Sequence, residues 1–117
     1  GYPIKYIIAP TVRERDGLAM SSRNAYFDAA GRREAICLYR ALVTARFMVR
    51  AGLHRTSIIE REMRAVIEGT APSAKIDYVA FTDVNTLEPR KVANKGTVCS
   101  LAVRIRGVRL IDNLLLK

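Results

Sequence analysis

The feature that most constrains the fold is a strand–turn–strand pattern near the end of the chain. From Thr97 to Ile105 the side chains alternate between two faces. One face carries Cys99, Leu101, Val103 and Ile105, and the other carries Val98, Ser100, Ala102 and Arg104. Arg106-Gly107 then predicts a tight hairpin turn, with a returning strand from Val108 to Ile111. A hairpin of this kind requires a partner layer to cover its apolar face.

The remaining segments supply that layer and a third strand. Apolar residues recur at helical spacing up to about Arg50 and predict one helix. Asp28 is predicted to cap its start, and Gly52 is predicted to end it. Ser57 followed by Glu60 predicts a capping box that opens a second helix, ending near Gly69. Lys75 to Asp83 is rich in Val, Tyr and Phe and predicts a strand. The fold class is therefore α+β, a helical hairpin packed on a small antiparallel sheet of about three strands.

Composition limits the partners. The 117 residues suit one domain, and the absence of any apolar run near about 20 residues argues against a membrane-spanning helix. The formal net charge of +9 allows nucleic acid or phosphate-bearing ligands as partners. The positive charges are scattered, however, and no interleaving of basic and aromatic residues provides a surface for stacking bases. The arginines of the first helix, Arg33, Arg40, Arg46 and Arg50, are predicted to be solvated.

Catalytic and metal-binding signatures are sparse. His54, the only histidine, falls in a predicted loop and is interpreted as a surface residue, so no Ser–His–Asp or Cys–His set can form. Cys37 and Cys99 match no metal-ligand spacing, and we predict free core thiols in a reducing compartment, with no metal site. Together with the lack of a signal-peptide pattern in the first ten residues, this predicts a cytosolic protein.

One polar stretch, residues 11–24, is unlike an ordinary connector, and we call it the motif loop. It reads TVRERDGLAMSSRN and concentrates arginines, two adjacent serines and one glycine. Hydroxyls, backbone N–H groups and the planar donor fork of arginine together suit phosphate oxygens. A solvated loop with incidental charge is the alternative that composition leaves open.

The motif loop closely resembles the segment that opens the C-terminal domain of the pantothenate synthetase family, and Arg109-Leu110-Ile111-Asp112-Asn113 resembles that family's closing RLIDN. The resemblance extends over the whole chain, through Ile76-Asp77-Tyr78-Val79 and Thr86-Leu87. It implies a C-terminal domain of a class I aminoacyl-tRNA-synthetase-like, adenylate-forming ligase. Pro3 to Ala9 is a short apolar run ended by Pro10 and predicts a strand. Under the resemblance, residues 1–10 would be the last strand or linker of an N-terminal Rossmann-like domain outside this chain, and an internal edge strand is the alternative. Residues 11–24 would be a KMSKS-like ATP phosphate loop, and residues 25–117 a lid domain.

The resemblance also implies residue roles. Ser21, Ser22 and Arg23 would hold and stabilise the triphosphate of ATP during catalysis, with Met20 in the nucleotide site and Val12 on the adenine side. The enzyme would be a pantoate–β-alanine ligase that uses ATP with Mg²⁺, acts as a homodimer and needs its N-terminal domain, so this chain alone would be inactive. Arg104 and Arg106 depart from a segment that is usually uncharged in the family. The competing hypothesis is a small basic nucleic-acid-binding module without catalysis.

Overall fold

The computed structural model describes residues 12–21, 24 and 27–116. Within them lie three helices and three strands, in the order α1 (Ala29–Ala35), α2 (Cys37–Arg50), α3 (Thr56–Thr70), β1 (Lys75–Asp83), β2 (Thr97–Ile105) and β3 (Val108–Leu116). The strands form one antiparallel sheet in the order β1-β2-β3. Helices α2 and α3 form a hairpin that packs on one face of this sheet, which confirms the predicted fold class.

The β2–β3 hairpin follows the sequence pattern closely. Arg106 and Gly107 both have positive φ angles, 50° and 83°, as a two-residue type I′ turn requires. The pairing continues in register from Ile105↔Val108 to Thr97↔Leu116. Strand β3 is therefore longer than predicted and continues five residues past Ile111, because β2 offers a pairing partner along its whole length.

The core lies between the helical hairpin and the inner face of β2. Its fully buried side chains come from both layers: Leu42, Ile59, Met63 and Ile67 from the helices, and Cys99, Leu101, Val103 and Ile105 from β2. Cys37 and Cys99 are buried free thiols, as predicted. Burial raises the pKa of each thiol to about 12, so neither forms a thiolate at neutral pH.

The first predicted helix is divided at Ile36. Asp28 caps α1 by accepting a hydrogen bond from the Gly31 N–H at 2.7 Å, as predicted. Ile36, with a ψ of −4°, separates α1 from α2. The prediction of a single helix is wrong at this point, because α1 is anchored to the motif loop and the β2–β3 turn, whereas α2 packs on α3.

The predicted C-terminal end of α2 is correct in its geometry. Gly52 has a φ of 91°, and its N–H donates to the Val49 carbonyl at 3.1 Å. The Leu53 N–H donates to the Met48 carbonyl at 2.9 Å, which completes a Schellman motif.

The predicted capping box of α3 is wrong. The helix begins at Thr56 rather than after Ser57, and its cap residue Arg55 makes no side-chain capping hydrogen bond. Thr56 instead donates from its backbone N–H to the Lys91 carbonyl and from its hydroxyl to the Arg90 carbonyl, both at 3.0 Å. The Glu60 carboxylate does not serve in a capping box and instead forms an ion pair with Arg64 at 3.0 Å. A loop that is distant in sequence thus takes over the role expected of a local side chain.

Candidate nucleotide-binding site

The motif loop forms a miniature hairpin between Val12 and Met20. The Met20 N–H donates to the Val12 carbonyl at 2.8 Å, and the Glu14 N–H donates to the Leu18 carbonyl at 2.8 Å. The turn is made by Gly17, whose φ of 94° is in the left-handed region that favours glycine. These hydrogen bonds place the backbones of Val12 and Met20 side by side.

Arg13 anchors this hairpin to the rest of the domain. Its two terminal nitrogens bind the two carboxylate oxygens of Asp112 on β3 at 2.6 and 3.0 Å, and Nη1 also donates to the Gly17 carbonyl at 3.1 Å. The guanidinium lies 4.4 Å from the centroid of the Tyr39 ring on α2. The two side chains of the ion pair are only 16% and 3% exposed. Arg13 therefore joins the motif loop to a helix and a strand through a largely desolvated contact.

A second anchor comes from α1. Arg32 donates to Glu14 at 2.7 Å and to Asp16 at 2.9 Å. These hydrogen bonds are the main reason that the pKa values of both carboxyl groups lie below their usual range. Asn24 donates to Glu14 and, at 3.0 Å, to the Ala19 carbonyl. The acidic residues of the motif loop thus hold its shape.

The predicted site residues that can be placed lie on the exposed side of this hairpin. Val12 is 66% exposed and Met20 is 60% exposed, although both are apolar, and Ser21 is also exposed. Ser22 and Arg23 lie outside the described residues. The structure therefore brings Val12, Met20 and Ser21 together.

A pocket opens beside these residues, between the motif loop, α2 and β3. It has a volume of about 350 Å³, and its walls combine apolar side chains with the polar groups of Tyr39, Arg109 and Asp112. Its lining residues are Leu18, Ala19, Met20, Ser21, Leu38, Tyr39, Arg109, Leu110, Ile111 and Asp112. The volume lies within the range of small-molecule sites, roughly 300–1,000 Å³.

The sequence interpretation missed the roles of Arg13, Tyr39 and Asp112. Arg13 and Asp112 stand in the first and last motifs of the chain, 99 residues apart, and their opposite charges were the available signal. No local spacing connects them, because the contact depends on β3 lying beside the motif loop. The sequence also gave no reason to single out Tyr39.

The basic residues of the β2–β3 turn are largely committed to ion pairs. Arg106 donates to Glu34 at 2.6 Å and to Asp28 at 3.2 Å, while Arg104 and Arg109 pair with Asp77. The hydrogen bond from Arg106 is the main reason that the pKa of Glu34 is lowered. This pairing accounts for the charged turn by contacts within the domain and weakens the case for a nucleic-acid surface there.

Other candidate chemistry is limited in the part of the chain that the structure describes. His54 is exposed, and its ring Nδ1 lies 3.2 Å from the Ala93 carbonyl. Among residues 12–21, 24 and 27–116, no three His, Cys, Asp or Glu side chains are grouped to hold a metal ion. The helices formed by these residues are also too short or too polar to cross a membrane.

Comparisons of sequence and fold with known proteins point to one family. Residues 1–115 match the family model described as pantoate-beta-alanine ligase. Pantothenate synthetases of Koribacter versatilis and Moorella thermoacetica are each 43% identical over 116 residues, which is 99% of this chain. This chain spans only about two fifths of those relatives, 40% and 41% of their lengths.

Solved structures of the same family resemble the fold of this chain. The crystal structure of pantothenate synthetase from Thermus thermophilus superposes with a TM-score of 0.82 at 37% identity, over 92% of this chain and 38% of the other. A pantoate-beta-alanine ligase from Francisella tularensis, crystallised with beta-gamma ATP and beta-alanine, gives a TM-score of 0.54 at 27% identity, over 93% of this chain and 32% of the other. On the strength of the family match and these relatives, the chain belongs to the pantoate-beta-alanine ligase family.

Proposed function

We propose that this chain is the ATP-binding lid domain of a pantoate–β-alanine ligase. In that reaction the carboxylate of pantoate attacks the α-phosphorus of ATP, and pantoyl adenylate and pyrophosphate form. The amine of β-alanine then attacks the acyl carbon, releasing pantothenate and AMP. The observation that carries the proposal is the exposed row of Val12, Met20 and Ser21 beside the 350 Å³ pocket. The ATP analogue bound by the Francisella tularensis relative supports the choice of nucleotide.

Each residue of the site has a proposed task. The hydroxyls of Ser21 and Ser22 and the guanidinium of Arg23 hold the triphosphate, and Arg23 neutralises charge on the phosphates as pyrophosphate leaves. Val12 contacts the adenine side through its backbone, and Met20 packs on the nucleotide. The reaction needs no covalent enzyme intermediate, so these residues act by positioning and electrostatics. Mg²⁺ would be held mainly by the phosphate oxygens of the nucleotide.

The remaining parts of the enzyme lie outside this chain. We propose that residues 11–24 act as a KMSKS-like loop and residues 25–117 as a lid, which closes on an N-terminal Rossmann-like domain that binds pantoate. The whole enzyme would be a cytoplasmic homodimer, and this chain alone would be inactive. Two buried, unpaired cysteines are compatible with a reducing compartment.

A titration of the 117-residue chain with ATP tests nucleotide binding and separates it from the nucleic-acid alternative. We expect amide NMR shifts at Val12 and at residues 20–23, with little change at the β2–β3 turn. A single-stranded oligonucleotide serves as the competing ligand. The nucleic-acid-binding alternative would replace the proposed function under one set of results. The oligonucleotide would shift amide signals over the whole basic surface with a steep dependence on salt, and ATP would cause no shifts.

Arg23→Ala tests the catalytic role in a chimera, in which this chain replaces the matching 38% of the Thermus thermophilus enzyme. Loss of one preorganised donor to a transition state lowers kcat by about 10²–10³, and we expect that fall with a smaller change in the KM for ATP. Arg15→Ala is the matched control, because Arg15 is an exposed arginine of the same loop. A kcat for Arg23→Ala close to that of the unaltered chimera would refute the role.

A further inference from the structure

Arg13 combines a bidentate ion pair with Asp112, a backbone contact and a contact with an aromatic ring. One guanidinium binds both oxygens of a buried carboxylate, binds the carbonyl of the loop's own turn at Gly17, and stacks on Tyr39. These contacts involve β3, the motif loop and α2. Arg13 therefore ties the loop to β3 and α2, and it also holds the loop's own turn.

Arg13 is also next to the proposed nucleotide contacts. It follows Val12 directly, and its backbone pairs with that of Ala19 in an isolated antiparallel bridge. The Val12 carbonyl accepts from the Met20 N–H at 2.8 Å, so a shift of Arg13 moves both sides of the hairpin together. Asp112 and Tyr39 meanwhile line the pocket beside Met20 and Ser21.

We propose that Arg13 is a positioning residue, which through Asp112 sets the orientation of the motif loop toward ATP. This inference rests on the proposed function. Arg13 need not touch the nucleotide, since its Nη1 and Nη2 groups donate to Asp112 and Gly17. Its effect on catalysis comes from holding Val12, Met20 and Ser21 in one arrangement while the phosphates react.

Arg13→Lys is the informative variant, because it keeps the positive charge. A lysine ammonium cannot bind both carboxylate oxygens and also stack a planar group on Tyr39. Asp112→Asn changes the other partner while keeping its shape. Arg90→Lys is the matched control, since Arg90, in the loop after β1, pairs with Asp83 at the end of that strand, and neither residue lines the pocket.

The first measurement is amide hydrogen exchange in the 117-residue chain. We expect exchange at Glu14 and Met20, whose N–H groups form the loop hairpin, to become about tenfold faster or more in Arg13→Lys. Exchange in β2 should stay unchanged, and Arg90→Lys should leave Glu14 and Met20 as they are. Unchanged exchange at Glu14 and Met20 in Arg13→Lys would overturn the inference.

The second measurement is kinetic and uses the Thermus thermophilus chimera at a temperature where every variant is folded. We expect Arg13→Lys and Asp112→Asn each to lower kcat by about tenfold or more. The kcat of the double variant should be no lower than that of either single variant, because each single change already breaks the same Arg13–Asp112 contact. A kcat within twofold of the unaltered chimera, despite faster loop exchange, would show a structural role only and overturn the positioning role. An unaltered chimera that makes no pantothenate would count against the proposed function itself, and the inference would fall with it.

Discussion

Replacing Gly17 by alanine tests how closely the motif loop packs on α2. A Cβ at this position would lie 2.3 Å from Cδ2 and 2.7 Å from Cε2 of the Tyr39 ring, far inside an ordinary contact. The Arg13 guanidinium lies on this ring, so a movement of the ring away from the new Cβ would disturb that contact. The φ of 94° would also place alanine in the left-handed region.

The two penalties can be separated with a control. The left-handed conformation costs about 1–2 kcal/mol, and Gly52→Ala measures this cost alone, since Gly52 has a φ of 91° and no atom within 4 Å of its added Cβ. The clash with Tyr39 adds about 1–3 kcal/mol of overpacking. We therefore expect Gly17→Ala to lower the free energy of unfolding by about 2–5 kcal/mol in total.

Urea denaturation of the 117-residue chain, followed by circular dichroism, measures both variants under identical conditions. The combination of Gly17→Ala with Tyr39→Ala should recover part of the loss relative to the sum of the single changes, because the clashing ring is gone. If Gly17→Ala and Gly52→Ala prove equally destabilising, the loop does not pack on Tyr39 as described. Tyr39 would then not be part of the anchor that holds the motif loop through Arg13.

Two further predictions concern stability alone. The pKa of Asp83 is lowered to about 2 by hydrogen bonds from the Thr86 N–H and the Arg90 guanidinium, so its contribution to stability is present above its ordinary pKa of 3.8 and is lost as the pH falls toward 2. Thermal melts should therefore show a smaller loss between pH 5 and pH 2 for Asp83→Asn than for the unaltered chain, and parallel curves would contradict this reasoning. Gly69 lies in the last turn of α3 with open space around it, so Gly69→Ala should raise the free energy of unfolding by about 0.4–1 kcal/mol in the urea assay, and a loss would be the contrary result.

The sequence by itself determined the elements whose signals are local. The alternation from Thr97 to Ile105 follows from the two-residue period of a strand, and Arg106-Gly107 follows from the positive φ angles that a two-residue turn requires. Asp28 and Gly52 marked helix ends correctly, because capping groups lie within a few residues of the backbone that they satisfy. The motif loop stood out because its composition does not suit a simple connector.

The tertiary structure decided the contacts that join distant segments. The start of α3 was misplaced because the backbone carbonyls of Arg90 and Lys91, more than thirty residues away, replaced the expected cap. The break between α1 and α2 at Ile36 could not be predicted from the sequence either, since every neighbouring residue tolerates a helix. The pairing of Arg13 with Asp112 across 99 residues depends on β3 completing the sheet beside the motif loop. Local propensity acts within a few residues, and only the packing of the motif loop against α2 and β3 brought these two charges to the same place.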